Sequence, residues 1–151
     1  MLNKMLDQFN GLYGLEVKDI NHKPYLMHGL IADEVEELDE AIAFSHKNDC
    51  VVKEAIDIIY ITCQQLRERG VDVDTALEEV HRSNMSKMVN YSYLEDEVIT
   101  AKSRYPNADW HYAGSNDSED FYVIKCADTG KVIKPTTYSP AIITDAMINN
   151  K

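Results

Sequence analysis

The sequence predicts an all-α fold, an antiparallel helical bundle with a small C-terminal β-hairpin appendage. Three observations carry it. Apolar residues recur at helical spacing through most of the first 105 positions, the connections between those runs are only a few residues long, and near residue 106 the pattern turns mixed and rich in turn formers. The 151 residues suit one domain over 1–151, with a helical core at about 1–105 and a mixed C-terminal extension at about 106–151.

Leu2, Met5, Leu6 and Phe9 mark a short first helix, which Gly11 and Gly14 should break. Pro24 suits the first turn of a second helix with the stripe Ile31, Val35, Leu38 and Ile42, ending near Ser45 to Lys47. Asn48 or Asp49 can cap a third helix, because a short side-chain oxygen accepts an orphan backbone N–H. Ile56, Ile59, Tyr60, Cys63 and Leu66 form its stripe, and Gly70 provides the stop. Asp72 or Asp74 starts a fourth helix, with Val73, Leu77, Val80, Asn84 and Met88 along one side. Leu94, Val98, Ala101 and Tyr105 mark a fifth, closed by Pro106. The stretch from Asn107 to Asp120 reads as a surface loop with a short strand around Trp110 to Tyr112. Phe121 to Ala127 and Lys131 to Lys134 flank Asp128-Thr129-Gly130 as a β-hairpin, and Ser139-Pro140 resembles the cap and first turn of a short terminal helix.

Fifteen Lys and Arg against 26 Asp and Glu give a net charge of −11. A polyanion needs basic patches that displace its counterions, so a nucleic acid partner is disfavoured, and so is an anionic membrane surface. Three scattered cysteines, Cys50, Cys63 and Cys126, form no C-x-x-C pair and fit a reducing interior. No apolar run approaches ~18 residues, so the expected setting is soluble and cytoplasmic.

The chemistry lies in the carboxylates. Glu34 and Glu37 are three residues apart, as are Glu54 and Asp57, so each pair projects from neighbouring turns of its own helix. The sixteen residues between Glu37 and Glu54 let one helix finish and the next descend, and the two pairs can then face each other. Convergent carboxylates repel unless hard divalent cations lie between them, and Mg²⁺, with Mn²⁺ as substitute, is the natural occupant. The plain alternative is a solvated acidic face, which suits Asp33, Glu36, Asp39 and Glu40. Asp57 fits that alternative poorly because Ile56, Ile58, Ile59, Tyr60 and Ile61 surround it, which suggests a buried carboxylate in need of a partner.

Asn84 and Lys87 read either as an amide satisfied inside the bundle with a Lys at its rim, or, beside a bound cation, as groups that grip phosphate oxygens. His22, His28, His46, His81 and His111 share no ligand spacing, and no Gly-rich phosphate loop or nucleophile set is present.

Asp33-Glu34-Val35-Glu36-Glu37-Leu38 and Glu54-Ala55-Ile56-Asp57 resemble the EExxEL and ExxD motifs of the all-α nucleoside triphosphate pyrophosphatases, the MazG-like and phosphoribosyl-ATP pyrophosphohydrolase-like group. Asp33 replaces the leading Glu. Glu79-Val80-His81-Arg82-Ser83-Asn84-Met85-Ser86-Lys87 and Gly130-Lys131-Val132-Ile133-Lys134-Pro135, with Tyr138 and Pro140 following, are similar to two further stretches of the phosphoribosyl-ATP pyrophosphohydrolase-like branch. Together with the Phe9-Asn10 region the resemblance covers most of 1–90 and 130–143, and the segment at about 91–127 is longer than that branch implies.

The resemblance implies hydrolysis of a (deoxy)nucleoside triphosphate to the monophosphate and pyrophosphate, in nucleotide-pool control, with a purine such as dGTP as the slight preference. Glu34, Glu37, Glu54 and Asp57 would hold Mg²⁺, two or more ions per site, as the metal-binding catalytic set, and Asn84, Lys87, Lys134 and Tyr138 would bind substrate. A multi-metal hydrolysis would follow, with a metal-activated water as nucleophile and a metal-free carboxylate, Glu37 or Glu36, to accept its proton. It also implies a homodimer or homotetramer, with a base pocket near Phe9 and Asn10. The alternatives are a phosphoribosyl-ATP pyrophosphohydrolase and a non-catalytic acidic helical protein that binds a metal or a partner.

Overall fold

The computed structural model describes residues 1–44, 48–116 and 118–149. In chain order the elements are α1 (Leu2–Leu12), α2 (Pro24–Phe44), α3 (Asn48–Glu68), α4 (Val73–Met85), β1 (Val89–Asn90), α5 (Tyr91–Arg104), β2 (Ala108–Ser115), β3 (Asp120–Cys126) and α6 (Asp145–Ile148). The molecule is predominantly helical with a small antiparallel sheet, as the sequence predicts. The expected end of the second helix at Ser45 to Lys47, and His46 with it, lie outside the described residues. Among the described residues no helix is long and apolar enough to cross a membrane.

The chain divides into two compact units, Met1–Leu77 with Ile143–Lys151, and Glu78–Ile142. In the first, α1 and α2 each pack on α3. Pro24 is the first residue of α2, where its missing N–H is no loss. Gly70 stops α3 at φ +79°, a conformation that side chains with a Cβ resist. Gly11 does not break α1, which runs on to Leu12. A lone Gly costs a helix about 1 kcal/mol, which neighbouring turns can absorb.

The starts of α1 and α4 cap each other. Asn3 Oδ1 accepts from Val73 N (3.0 Å), and Asp74 accepts from Leu2 N (3.0 Å) and Asn3 N (3.3 Å). Leu6, Cys63, Val71 and Val73 form the small core of this unit. Beside it a polar network is buried: Gln64 Nε2 donates to Asn10 Oδ1 at 3.0 Å, Lys18 pairs with Glu68, and Arg69 NH1 donates to Gln65 Oε1 at 2.9 Å.

The second unit holds a three-stranded antiparallel sheet, order β1-β3-β2, whose register runs from Ala108 opposite Cys126 to Ser115 opposite Asp120. Strand periodicity places Ala108, Trp110 and Tyr112 on one face with Tyr122, Ile124 and Cys126. α5 packs against all three strands, and Val89, Leu94, Ala101, Ala108, Ile124, Cys126 and Ile133 make the core. Thus α5, grouped by its periodicity with the helices, packs with the strands.

Two local expectations are corrected. The main hairpin is β2–β3, and the expected pairing of Phe121–Ala127 with Lys131–Lys134 is reduced to its turn end. There Lys125 bridges Val132, Cys126 N donates to Lys131 O at 2.9 Å and Ile133 N to Ile124 O at 2.8 Å, while β1 takes β3 at Phe121 and Tyr122. The terminal helix does not open at Ser139-Pro140. It begins at Asp145 after Thr144, and Ser139 and Pro140 instead serve as acceptors for Arg82.

Candidate metal and phosphate sites

In the first unit α2 and α3 lie side by side and bring Glu34, Glu54 and Asp57 together. One carboxylate oxygen of each lies within 4.8 Å of the others, and all three residues are half-buried. Glu37 lies outside that trio, one turn along from Glu34. Partial burial raises the pKa of Glu34, and the charges of Glu37, Asp57 and Glu54 raise it further against the opposing pull of Lys53. Three hard oxygen donors at this spacing fit a divalent cation such as Mg²⁺ or Mn²⁺. Among the described residues no histidine or cysteine joins a comparable group.

Asp57 is not the buried carboxylate that its isoleucine neighbours suggest. Its side chain is 39% exposed and accepts from Lys53 Nζ at 2.7 Å. Ile56 and Ile59, at 55% and 56% exposed, face outward in the single chain, so their apolar character marks a surface rather than an interior. Lys53, which the sequence reading did not single out, also reaches Glu54 Oε2 at 2.9 Å. Its ammonium supplies positive charge to the same oxygens a cation would use, and these two carboxylates raise its pKa. The i,i+4 spacing to Asp57 was the available signal.

In the second unit the four residues expected to bind substrate come together. Lys87 Nζ donates to Asn84 Oδ1 at 2.6 Å, so Asn84 is an exposed partner of Lys87 and not an interior amide. Lys134 Nζ sits 4.4 Å from the centre of the Tyr138 ring. The Ser83 hydroxyl donates to the Tyr138 phenol oxygen at 3.1 Å. That bond, with the charges of Lys134 and Lys87, lowers the Tyr138 pKa. Ser83 is buried and was not singled out, although it directly precedes Asn84. Arg82 and Glu79 form a fork pair here, and it holds Glu79 down at about 2. A cavity of about 540 Å³ opens along α5 beside Trp110 and contains none of these residues.

Near α1, Phe9 stacks on Tyr13 and meets Tyr60 edge-on, and Asn10 is committed to Gln64.

Paired helices thus converge carboxylates that could hold a divalent cation, and a separate cluster gathers cations, an amide and a phenol. Residues 14–84 match the model of the family described as phosphoribosyl-ATP pyrophosphohydrolase. Over that segment the chain is similar to the phosphoribosyl-ATP pyrophosphohydrolase family of MazG-like hydrolases. No curated protein and no solved structure matches the chain. The family match includes the carboxylates and Asn84 and ends before Lys87, Lys134 and Tyr138.

Proposed function

We propose that the protein is a divalent-cation-dependent pyrophosphohydrolase that cuts the triphosphate of a nucleotide between its α and β phosphorus atoms and releases pyrophosphate. The observation that carries this reading is the trio Glu34, Glu54 and Asp57, contributed by two helices with oxygens within 4.8 Å. Glu34, Glu54 and Asp57 would hold Mg²⁺, and Glu37 adds a fourth carboxylate, enough donors for a second ion. When bound, the cation would neutralise phosphate charge and lower the pKa of the attacking water.

The remaining work falls to the chain's own groups. Glu36, or Glu37 where it holds no ion, can accept the proton of the attacking water. Lys53 must yield its hold on Glu54 and Asp57 as the ion enters. Asn84, Lys87, Lys134 and Tyr138 bind phosphate oxygens, the lysines by charge and the amide and phenol by donating hydrogen bonds.

Two substrates carry the required triphosphate. Phosphoribosyl-ATP is favoured by the description of the matched family. A (deoxy)nucleoside triphosphate, dGTP included, is the second reading, since it offers the same triphosphate to the cluster of Lys87, Lys134 and Tyr138. Self-association is part of the proposal: Leu30, Val35 and Ile42 on α2, and Val52, Ile56 and Ile59 on α3, are exposed apolar groups that a second copy would cover in a homodimer or homotetramer.

The test is a pyrophosphate-release assay on phosphoribosyl-ATP and all common ribo- and deoxynucleoside triphosphates, with and without Mg²⁺. A dominant Mg²⁺-dependent substrate is expected. Cation binding without any turnover would instead identify an acidic metal-binding protein. Glu54→Gln or Asp57→Asn should abolish the release while leaving helicity unchanged by circular dichroism.

A further inference from the structure

The segment bearing Lys134 and Tyr138 has no regular secondary structure, yet it is pinned along its length within the second unit. At one end Ile133 is buried in the core and donates its N–H to Ile124 O at 2.8 Å. At the other, Ser139 N donates to Ser86 Oγ at 3.0 Å, Arg82 NH2 donates to Pro140 O at 3.0 Å, and Ile142 N donates to Glu79 Oε1 at 2.9 Å.

The middle is held by one side chain from α5. Glu97 is only 5% exposed and lies on the helix face that carries Leu94 and Ala101, three positions before it and four after. A carboxylate on a buried stripe is costly unless its oxygens are satisfied. No Lys, Arg or His nitrogen among the described residues lies within ion-pair distance of it. Instead Thr136 N reaches its two oxygens at 2.9 and 3.0 Å, and the Thr136 hydroxyl donates to Oε1 as well. Thr136 lies midway between Lys134 and Tyr138.

We infer that Glu97 is a positioning residue: its buried carboxylate clamps Thr136 and thereby holds Lys134 and Tyr138 in the arrangement that grips the substrate's phosphate. The role rests on the proposed function, and it gives the α5 segment, which lies outside the matched family, a task of its own. Backbone N–H and hydroxyl donors to an ionised oxygen are strong and directional, so they fix the segment without requiring a long charged partner. The aromatic ring of Tyr138 then lies under Lys134, and its phenol oxygen meets Ser83.

The experiment compares wild type, Glu97→Ala and Glu97→Gln by steady-state kinetics and by a site-assigned ¹³C-tyrosine NMR titration of Tyr138. Glu97→Ala should raise KM for the triphosphate about tenfold with kcat nearly unchanged, the size of one lost hydrogen bond to a charged group. In the same variant the Tyr138 titration should move up toward its ordinary value of 10.0. Glu97→Gln, which keeps an acceptor oxygen, should restore both. If Glu97→Ala does not fold, Thr136→Val, which removes the hydroxyl donor alone, should shift both readouts in the same direction. A folded Glu97→Ala or Thr136→Val with wild-type KM and an unmoved Tyr138 titration overturns the inference. Should the wild type hydrolyse no triphosphate, the functional reading falls, while the Tyr138 titration still decides whether Glu97 clamps the segment.

Discussion

The α2–α3 pair and the packing of α5 on its sheet differ in how much apolar surface one chain covers for itself. α5 closes a core in which Val89, Ile124 and Ala101 are almost wholly shielded. α2, at 21 residues, buries none of its side chains, and half of the isoleucine stripe of α3 lies open. The same helical periodicity thus marks a closed interior in one place and an exposed apolar surface in the other. The carboxylates that define the candidate metal site stand on the incompletely covered pair.

The sharpest way to break this contrast is to truncate one isoleucine from each region. Ile124→Ala removes a side chain that is 1% exposed and should cost about 2–5 kcal/mol in urea unfolding. Ile56→Ala, measured at concentrations low enough to keep the chain monomeric, should cost less than about 0.5 kcal/mol. Equal losses would mean that α3 is better packed than its exposure implies.

Next in size is the effect on assembly. A charge at Ile59 would have to be desolvated at any interface formed there, so Ile59→Glu should convert an oligomer to monomer in sedimentation equilibrium at micromolar protein. A wild type that is already monomeric under those conditions would leave the open stripe without its proposed occupant.

The smallest effect is a pair of opposite pH dependences. Glu34 has its pKa raised above 4.5, chiefly by partial burial and then by Glu37. It therefore favours the folded chain while protonated. That contribution is complete below the ordinary value and is lost as pH rises through the raised one. Glu79 is held at about 2 by its hydrogen bond to Arg82, so its contribution is complete above 4.5 and is lost as pH falls toward 2. Carboxyl ¹³C NMR titration should place the two midpoints on opposite sides of 4.5, and coincident midpoints would contradict both assignments.

Much of this architecture was legible in the residues because helical spacing depends only on local geometry. Pro24 and Gly70 fixed a start and a stop, and Asp72 caps α4 by accepting from Thr75 N at 3.1 Å. β2 was legible only at Trp110 and Tyr112, since its other residues are polar or small and its partner strand lies across a turn. Convergence of Glu34 with Glu54 and Asp57 followed from spacing alone, because α2 and α3 are consecutive and adjacent. The setting of Asp57 did not, since a run of isoleucines reads the same whether it is buried or, like Ile56 and Ile59, exposed. The role of Glu97 was equally hidden, because its donor, Thr136, lies 39 residues away.

The central claim is that Glu34, Glu54 and Asp57 form a centre for a divalent cation that serves phosphate chemistry. Titration of the protein with Mn²⁺, followed by electron paramagnetic resonance of the free ion, tests it most directly. Saturable binding in the wild type, lost in Asp57→Asn with unchanged helicity, is the predicted result. Identical Mn²⁺ uptake by both proteins would contradict the account.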